Sequence, residues 1–231
     1  MSSSILLIGS GRLATHLAHW QSLQSHKLDL HTWNRQQPIR ELHAFLERQP
    51  LVWLAISDSA LTMFFEEHLA RYNLKVVHFS GALHDPRMFS AHPLMSFTKK
   101  LFTDSFYQSI HFVITGVDRL DTAMPGFKNS FSVIPANQKA FYHALCVMAG
   151  NFPQLLWNEI FKEAANLKIP AVAFETYLKT ITQNFIEQKG DALTGPIVRN
   201  DSITIQKNIE ALEQNQKLQA TYKTFAEEFT P

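Results

Sequence analysis

The sequence lacks the features that mark several classes of protein. Among its 231 residues Cys146 is the single cysteine, which excludes a disulfide framework and a cysteine-built zinc site. The net charge is only +1 and the lysines and arginines are dispersed, so nothing indicates nucleic-acid binding. No apolar run approaches the roughly 18 residues of a membrane span, and residues 5–8 are too few for a signal peptide. We therefore expect a cytoplasmic protein.

Several catalytic motifs are also missing. The sequence has no G-x-x-x-x-G-K-[ST], no H-E-x-x-H and no G-x-S-x-G. It therefore lacks the motif residues expected of a kinase, a zinc protease or a hydrolase with these sites. No tyrosine is followed four residues later by a lysine, the usual pair of short-chain dehydrogenases. We also find no constellation of residues that indicates a metal site.

The N-terminal stretch carries the most informative motif. An apolar run at residues 5–8 ends in Gly9-Ser10-Gly11-Arg12-Leu13-Ala14, after which apolar residues recur at helical spacing. This pattern predicts the strand, tight turn and helix start of a dinucleotide-binding unit. Gly9 permits the turn, Gly11 lets the backbone approach a pyrophosphate, and Ala14 allows close packing of helix on strand. The structural alternative is a plain strand-to-helix turn.

The remaining pattern divides the chain into two parts. Strands are predicted at 5–8, 28–33, 51–56, 75–79, 110–115 and 131–134, with an extended piece at 91–94. Helices are predicted between most of these strands, including one near residues 121–128. From residue 138 onward the pattern is helical, with a break at Pro153. The sequence therefore predicts an α/β fold, with a Rossmann-like parallel sheet in domain 1–136 and an all-α domain at 137–231.

The end of the second predicted strand bears on the choice of cofactor. Trp33-Asn34-Arg35 contains no acid, whereas an acid here bonds the ribose 2′-hydroxyl of NAD(H) and an arginine accommodates a 2′-phosphate. The sequence thus favours NADP(H) over NAD(H), with Asn34 and Arg35 beside the cofactor and Arg12 as a second positive charge. Arg35 is otherwise an ordinary solvated loop residue.

Polar residues follow the third and fourth predicted strands. Ser57-Asp58 and Ser80-Gly81 come just past the carboxyl ends of strands, where open sheets bind their ligands. Ser57 and Asp58 are candidate cofactor contacts, although Asp58 is also a natural helix N-cap. Ser80 is a candidate catalytic residue, although a serine before glycine in a turn needs no function.

Two of the histidines are distinguished by their context. Pro93 favours an extended conformation at His92, while His143 precedes Asn151 by eight residues, on nearly the same face of a predicted helix. Either imidazole is a candidate proton donor to a carbonyl or imine, because its intrinsic pKa is close to working pH. A structural role is the default for the other histidines.

The stretch at residues 192–201 is the most unusual of the second half. Asp201 is predicted to cap the following helix, and Gly195-Pro196 to form a turn. Thr194 and Arg199 have no such explanation and are candidate contacts to an anionic substrate. A surface ion pair accounts for Arg199 equally well.

Taken together, these strings resemble a family of Rossmann-like NADP oxidoreductases with a C-terminal helical domain of unknown function. The resemblance runs nearly end to end. It rests on the glycine loop, Ala55-Ile56-Ser57-Asp58, Ser80-Gly81, His92-Pro93-Leu94 with Phe97, Asn151, and Leu193-Thr194-Gly195-Pro196 with Arg199 and Asp201.

Wider relatives implied by the resemblance are pyrroline-5-carboxylate reductases, prephenate dehydrogenases, ketopantoate reductases and deazaflavin-dependent NADP reductases. The resemblance implies an all-α second domain of the 6-phosphogluconate dehydrogenase C-terminal type, a homodimer formed through it, and a substrate cleft between the domains. His92-Pro93-Leu94 is similar to the His-Pro-Met stretch whose histidine contacts substrate in prephenate dehydrogenases, which implies that His92 contacts the substrate here.

One departure from these relatives affects the expected chemistry. In the hydroxyacid and ketopantoate branches a lysine stands four residues before an asparagine, but Asn151 of this chain is preceded there by Val147. Any acid must then come from His92, His143, a serine or the substrate. An imine reductase tolerates this loss better than a ketone reductase, because an iminium already carries the proton.

We therefore expect an NADP(H)-dependent oxidoreductase that acts on a small carbonyl or imine acid. In this hypothesis Ser80 and His92 act at the reacting end of the substrate, while Asn151, a further candidate catalytic residue, and Arg199 orient it. The alternative is a non-catalytic NADP(H)-binding protein with a regulatory or redox-sensing role. A third hypothesis is a scaffold whose helical domain mainly builds an oligomer.

Overall fold

The computed structural model describes residues 4–25 and 28–231. The chain divides into two compact units, with the division between Asn151 and Phe152. The last strand ends at Val133, near the boundary predicted at residue 136, and the division into units lies further on, within a helix.

Seven strands of the first unit form one sheet, in the order β2-β1-β3-β4-β5-β6-β7. They are β1 (Ser4–Ile8), β2 (Asp29–Trp33), β3 (Leu51–Leu54), β4 (Val76–His78), β5 (Phe89–Pro93), β6 (Phe112–Thr115) and β7 (Phe131–Val133). Within the described ranges, β5 and β6 form the one antiparallel pair and every other neighbouring pair is parallel.

The order of the strands changes direction at β1, which pairs with β2 on one side and with β3 on the other. The chain thus leaves β1 toward one edge of the sheet and later returns to its opposite side. A crevice forms at such a point outside the carboxyl ends of the strands, because the flanking connections run to opposite faces. This geometry opens a site beyond Ile8 and Leu54.

Helices cover both faces of the sheet. They are α1 (Arg12–Leu23), α2 (Ile39–Leu46), α3 (Asp58–Phe64), α4 (Asp104–Ser109) and α5 (Leu120–Ala123), and a π-helical segment at Phe65–Leu69 continues α3. Alternate residues of a strand face opposite sides. Leu7 and Trp53 accordingly belong to one buried cluster, and Leu6 and Val52 to another. Burial on both faces explains why these strands read as continuous apolar runs.

The rest of the chain is helical. Its α-helices are α6 (Lys139–Asn166), α7 (Ala171–Gln188), α8 (Ser202–Ala211) and α9 (Gln216–Phe229). The predicted break at Pro153 is wrong, because the 28-residue helix α6 runs through this proline. One interior proline costs a helix a hydrogen bond and about 3 kcal/mol, which the other turns of a long helix offset.

Two further predictions concern helix ends and length. The cap at Asp201 is confirmed, since its carboxylate accepts a hydrogen bond from the backbone N–H of Thr204 at 3.0 Å. The helix predicted near residues 121–128 is only the single turn α5. No helix among residues 4–25 and 28–231 is both long and apolar enough to cross a membrane.

Candidate functional site

A cavity of about 490 Å³ opens at the carboxyl ends of β1 and β3. Its walls include the glycine loop, the end of β2 and the turn after β3. Eight of the residues predicted to bind a cofactor line it: Gly9, Ser10, Gly11, Arg12, Leu13, Asn34, Arg35 and Ser57. Ala14 is buried beneath the loop, and Asp58 is the next residue after the wall residue Ser57.

The two glycines of the loop meet different surroundings. Gly9 has a φ of +135°, and a Cβ built there would lie 2.2 Å from the carbonyl oxygen of Ala55. A Cβ on Gly11 would have no atom within 4 Å. The backbone of Gly11 therefore borders open space, as the approach of a pyrophosphate requires.

The N-terminus of α1 faces the same space. Gly11 is its N-cap, no side chain caps the helix, and no acidic residue occupies its first turn. The first N–H groups of a helix lack intrahelical partners and carry a partial positive charge, which favours an anion. The loop and helix together fit the phosphates of a dinucleotide.

The turn after β2 is held by the side chain of Asn34. Its Oδ1 accepts a hydrogen bond from the N–H of Gln36 at 3.0 Å, while its own N–H donates to Oε1 of Gln37 at 2.8 Å. Arg35 is exposed within this turn and lines the cavity. The cavity thus carries a cation at the place where an NAD(H) site has an acid.

Asp58 does not cap α3, so the N-cap prediction is wrong. Ser57 is the N-cap and Asp58 the first helical residue. Oδ2 of Asp58 instead accepts a hydrogen bond from Oγ of Ser80 at 2.5 Å. Asp58 therefore bonds to the turn after β4 instead of capping its own helix.

The hydroxyl of Ser80 is fully engaged. Besides donating to Asp58, its Oγ accepts hydrogen bonds from the N–H groups of Leu83 at 2.9 Å and Ala82 at 3.3 Å. Ser80 is also buried. Its hydroxyl therefore fixes the turn after β4 against the start of α3.

His92 and His143, the two histidines predicted to act in catalysis, both pack against Gly81, the residue after Ser80. The ring centroids of His92 and His143 are 6.2 Å apart. A Cβ on Gly81 would lie 2.6 Å from Cδ2 of His143 and 3.1 Å from Nε2 of His92. The turn, the strand β5 and the helix α6 thus converge here. Burial, with the charges of His143 and Lys139, lowers the pKa of His92 to about 4, so its imidazole is neutral at neutral pH.

Lys139 is a buried residue of this region that the sequence analysis missed. Its side chain is 2% exposed, and its Nζ donates to the carbonyl oxygen of Ser80 at 3.0 Å and to Oγ of Ser90. Burial lowers the pKa of its ammonium group to about 8, against the opposing charge of Asp58. The sequence did contain one signal of this role. A lysine in the first turn of a helix interacts unfavourably with the helix dipole, so its presence at this position suggests a stabilising contact elsewhere.

His78 shares the environment of this lysine. Its Nδ1 accepts a hydrogen bond from the N–H of Ser80 at 3.2 Å. Burial, followed by the charge of Lys139, lowers the pKa of His78 to about 3. The buried ammonium group is therefore flanked by neutral imidazoles.

The remaining predicted site residues lie further along the chain. Asn151 is exposed on α6, eight residues and hence about 12 Å along the helix from His143. Thr194 and Arg199 are exposed in the second unit. Hydrogen bonds from Thr204, together with the charge of Arg199, lower the pKa of Asp201.

A family model provides a sequence-based assignment. The model of a domain of unknown function, DUF2520, matches residues 111–229, which is more than half of the chain. The chain belongs to the DUF2520 family. Among curated proteins, none matches this DUF2520 chain significantly in sequence.

Solved structures resemble the DUF2520 chain in fold. A Bacteroides fragilis protein, named as a candidate NADP oxidoreductase, has a TM-score of 0.79 at 19% identity, over 99% of this chain and 98% of that one. The 1-pyrroline-5-carboxylate reductase of Streptococcus pyogenes has a TM-score of 0.57 at 14% identity, over 98% of each chain. A reductive aminase of Aspergillus terreus, solved with NADPH and ethyl levulinate, has a TM-score of 0.51 at 13% identity, over 100% of this chain and 95% of that one.

These likenesses confirm the predicted fold class. The neighbours are Rossmann-type proteins with helical C-terminal domains, as the sequence resemblance implied. The relationship to the pyrroline-5-carboxylate reductases is likewise confirmed at the level of fold.

Proposed function

We propose that the protein is an NADP(H)-dependent oxidoreductase that acts on a small carbonyl or imine acid. One observation carries the proposal: an open cavity at the carboxyl ends of β1 and β3 is walled by Gly11, the N-terminus of α1 and Arg35. Gly11 and the helix end bind the pyrophosphate. Arg35 binds the 2′-phosphate and so selects NADP(H).

The reacting end of the substrate is assigned to the turn after β4. NADPH would supply the hydride for reduction when it is bound. Asp58 joins the nucleotide cavity to this turn, because it follows the wall residue Ser57 and accepts the hydrogen bond of Ser80. His92 and His143 border Gly81 on the other side. A neutral imidazole can polarise a carbonyl or imine by donating a hydrogen bond.

Recognition of an acidic substrate is proposed for residues of the helical part. Arg199 is always charged and pairs well with carboxylates, and Asn151 and Thr194 offer neutral hydrogen bonds. All three are exposed. Their side-chain chemistry and their exposure support a role as substrate contacts.

Two observations favour a second function, NADP(H) binding without turnover in a regulatory or redox-sensing role. Val147 stands where relatives carry a lysine, and both hydrogen bonds of the buried Lys139 go to the protein itself. Oxidation of NADPH with small keto or imino acids, lost in His92→Ala, excludes this role. Binding without oxidation across such a panel supports it instead.

We also propose a homodimer formed through the helical domain. In the second unit large apolar side chains are exposed on α6 and α7: Leu155, Val172, Phe185 and Ile186. An apolar surface of this kind is typical of a protein interface. Sedimentation velocity is expected to give a dimer that Leu155→Glu dissociates, and a monomeric native protein at micromolar concentration would contradict the proposal.

Calorimetric titration with NADPH and with NADH tests the proposed cofactor. A lost ionic hydrogen bond is worth about 1.5–3 kcal/mol, so Arg35→Ala is expected to weaken NADPH binding about 10-fold to 100-fold and to leave NADH binding unchanged. Arg48→Ala is the matched control, since it removes the same charge from an exposed position away from the cavity. If neither cofactor binds the native protein, the proposed function is wrong.

A further inference from the structure

Tyr142 makes a specific contact with the candidate catalytic histidine. Its hydroxyl oxygen lies 2.7 Å from Nδ1 of His92, and the two rings meet edge to face with centroids 5.5 Å apart. The tyrosine is on the first turn of α6 and the histidine on β5. The contact therefore fixes the orientation of the imidazole from a second element.

This hydrogen bond has two possible directions. A neutral imidazole carries one proton, either on Nδ1 or on Nε2, and a phenol can donate or accept. Burial raises the pKa of Tyr142, so the phenol keeps its proton at neutral pH. The phenol has a second neighbour, the thiol of Cys146, one helical turn along α6.

The strength of the acceptors decides between the two directions. A thiol sulfur is a weak hydrogen-bond acceptor, whereas the lone pair of an imidazole nitrogen is a good one. The O–H of Tyr142 is therefore best satisfied by donating to Nδ1 of His92. The single proton of the imidazole then resides on Nε2.

Nε2 faces the turn assigned to the reacting group. It lies 3.1 Å from the position that a Cβ would take on Gly81, and this residue has no side chain to fill the space. No hydrogen bond joins Nε2 to any residue within 4–25 and 28–231. The one donor of the neutral ring thus points to the carboxyl end of β4, where sheets of this type bind ligands.

We infer that Tyr142 is a positioning residue that holds His92 in the Nε2–H tautomer, so that Nε2 donates a hydrogen bond to the substrate's carbonyl oxygen or imine nitrogen at Gly81. This assignment rests on the proposed function for the substrate, whereas the tautomer is a property of the unliganded protein. Other charged or titratable groups near the ring are His143 and Lys139. Both disfavour a second proton on His92, which keeps the ring a neutral donor.

Nitrogen-15 spectroscopy of the histidine rings tests the tautomer directly. In labelled protein without cofactor at neutral pH, we expect Nε2 of His92 to carry the proton and Nδ1 to resonate as an unprotonated nitrogen. His92→Gln assigns the signals by their loss. A proton on Nδ1 in the native protein would overturn the inference without recourse to any variant.

Variants then identify the group that sets the tautomer. A hydrogen bond is worth about 0.5–1.5 kcal/mol, so Tyr142→Phe is expected to shift the tautomer ratio about 2-fold to 10-fold toward Nδ1–H. Cys146→Ala and the exposed Tyr177→Phe are expected to leave the ratio unchanged. An unchanged ratio in Tyr142→Phe, or a shift in Cys146→Ala, assigns the tautomer to another contact.

NADPH titration separates this inference from the proposed function. Tyr142 does not line the nucleotide cavity, so Tyr142→Phe is expected to bind NADPH with the native affinity. A native protein that fails to bind NADPH contradicts the proposed function and leaves the tautomer measurement standing. A native protein that binds NADPH but shows the Nδ1–H tautomer contradicts the inference alone.

Discussion

The carbonyl oxygen of Ala55 lies 2.2 Å from the position that a Cβ would take on Gly9, so β3 and the glycine loop are in direct contact at this point. Gly9 also has the positive φ that side chains rarely adopt. Gly11, two residues later, has neither restriction. The fold therefore requires a glycine at position 9, whereas the unliganded fold has room for a side chain at position 11.

Alanine at each position is expected to separate folding from binding. Gly9→Ala must displace the backbone of Ala55 and is expected to lower the free energy of unfolding by several kcal/mol. Gly11→Ala is expected to change the melting temperature little and to weaken NADPH binding at least 10-fold, because its Cβ enters the space of the pyrophosphate. Differential scanning calorimetry and NADPH titration measure the two effects. Native NADPH affinity in Gly11→Ala would contradict the proposed phosphate site.

Acid stability is expected to depend on His78. Its pKa is about 3 in the folded chain, against 6.5 for an unperturbed histidine, so the unfolded chain binds the additional proton. Its contribution to stability is complete above pH 6.5 and is lost as the pH falls toward 3, at up to about 1.4 kcal/mol per pH unit. His92, with a pKa of about 4, acts in the same direction.

Urea unfolding between pH 3 and 7 measures this dependence. His78→Gln is expected to reduce the slope of the unfolding free energy with pH, because glutamine does not titrate. His19→Gln, at a half-buried position on α1, is the control and should retain the native slope, because His19 is not among the charges that act on His78. Equal slopes in the native protein and in His78→Gln would show that His78 is not kept neutral by the fold.

Lys139 is expected to govern how the free energy of unfolding changes at alkaline pH. Its folded pKa of about 8 lies below the usual 10.5, so the folded chain releases its proton first and the free energy of unfolding rises between pH 8 and 10.5. Lys139→Met is expected to remove this rise and to raise the pKa of His78 and of His92, since both are lowered by the lysine charge. Histidine titration by NMR measures the second effect, with the exposed Lys99→Met as control. Unchanged histidine pKa values in Lys139→Met would contradict this electrostatic coupling.

The sequence predicted features whose cause is local. The apolar runs of the strands, the glycine loop and the cap at Asp201 each depend on neighbouring residues, and the structure contains all of them. The predicted helix break at Pro153 was wrong because the rule that proline ends a helix takes no account of how long the surrounding helix is.

The missed contacts join residues distant in the chain. Lys139 reaches Ser80 across 59 residues, and Asp58 reaches the same serine across 22. Periodicity within one sequence says nothing about such pairs. Asp58 therefore matched a cap pattern, and Lys139 received no role in the sequence analysis. The fold brings both residues to Ser80, at the end of β4.

The indole of Trp33 gives the nucleotide cavity a built-in optical reporter. This tryptophan ends β2, lines the cavity and is held in place by a hydrogen bond from Nε1 to the carbonyl oxygen of Pro38. Trp20 and Trp53 are sealed in the core of the same unit. A reduced nicotinamide cofactor absorbs tryptophan emission, so quenching of the native fluorescence would follow occupancy of the cavity without any attached dye.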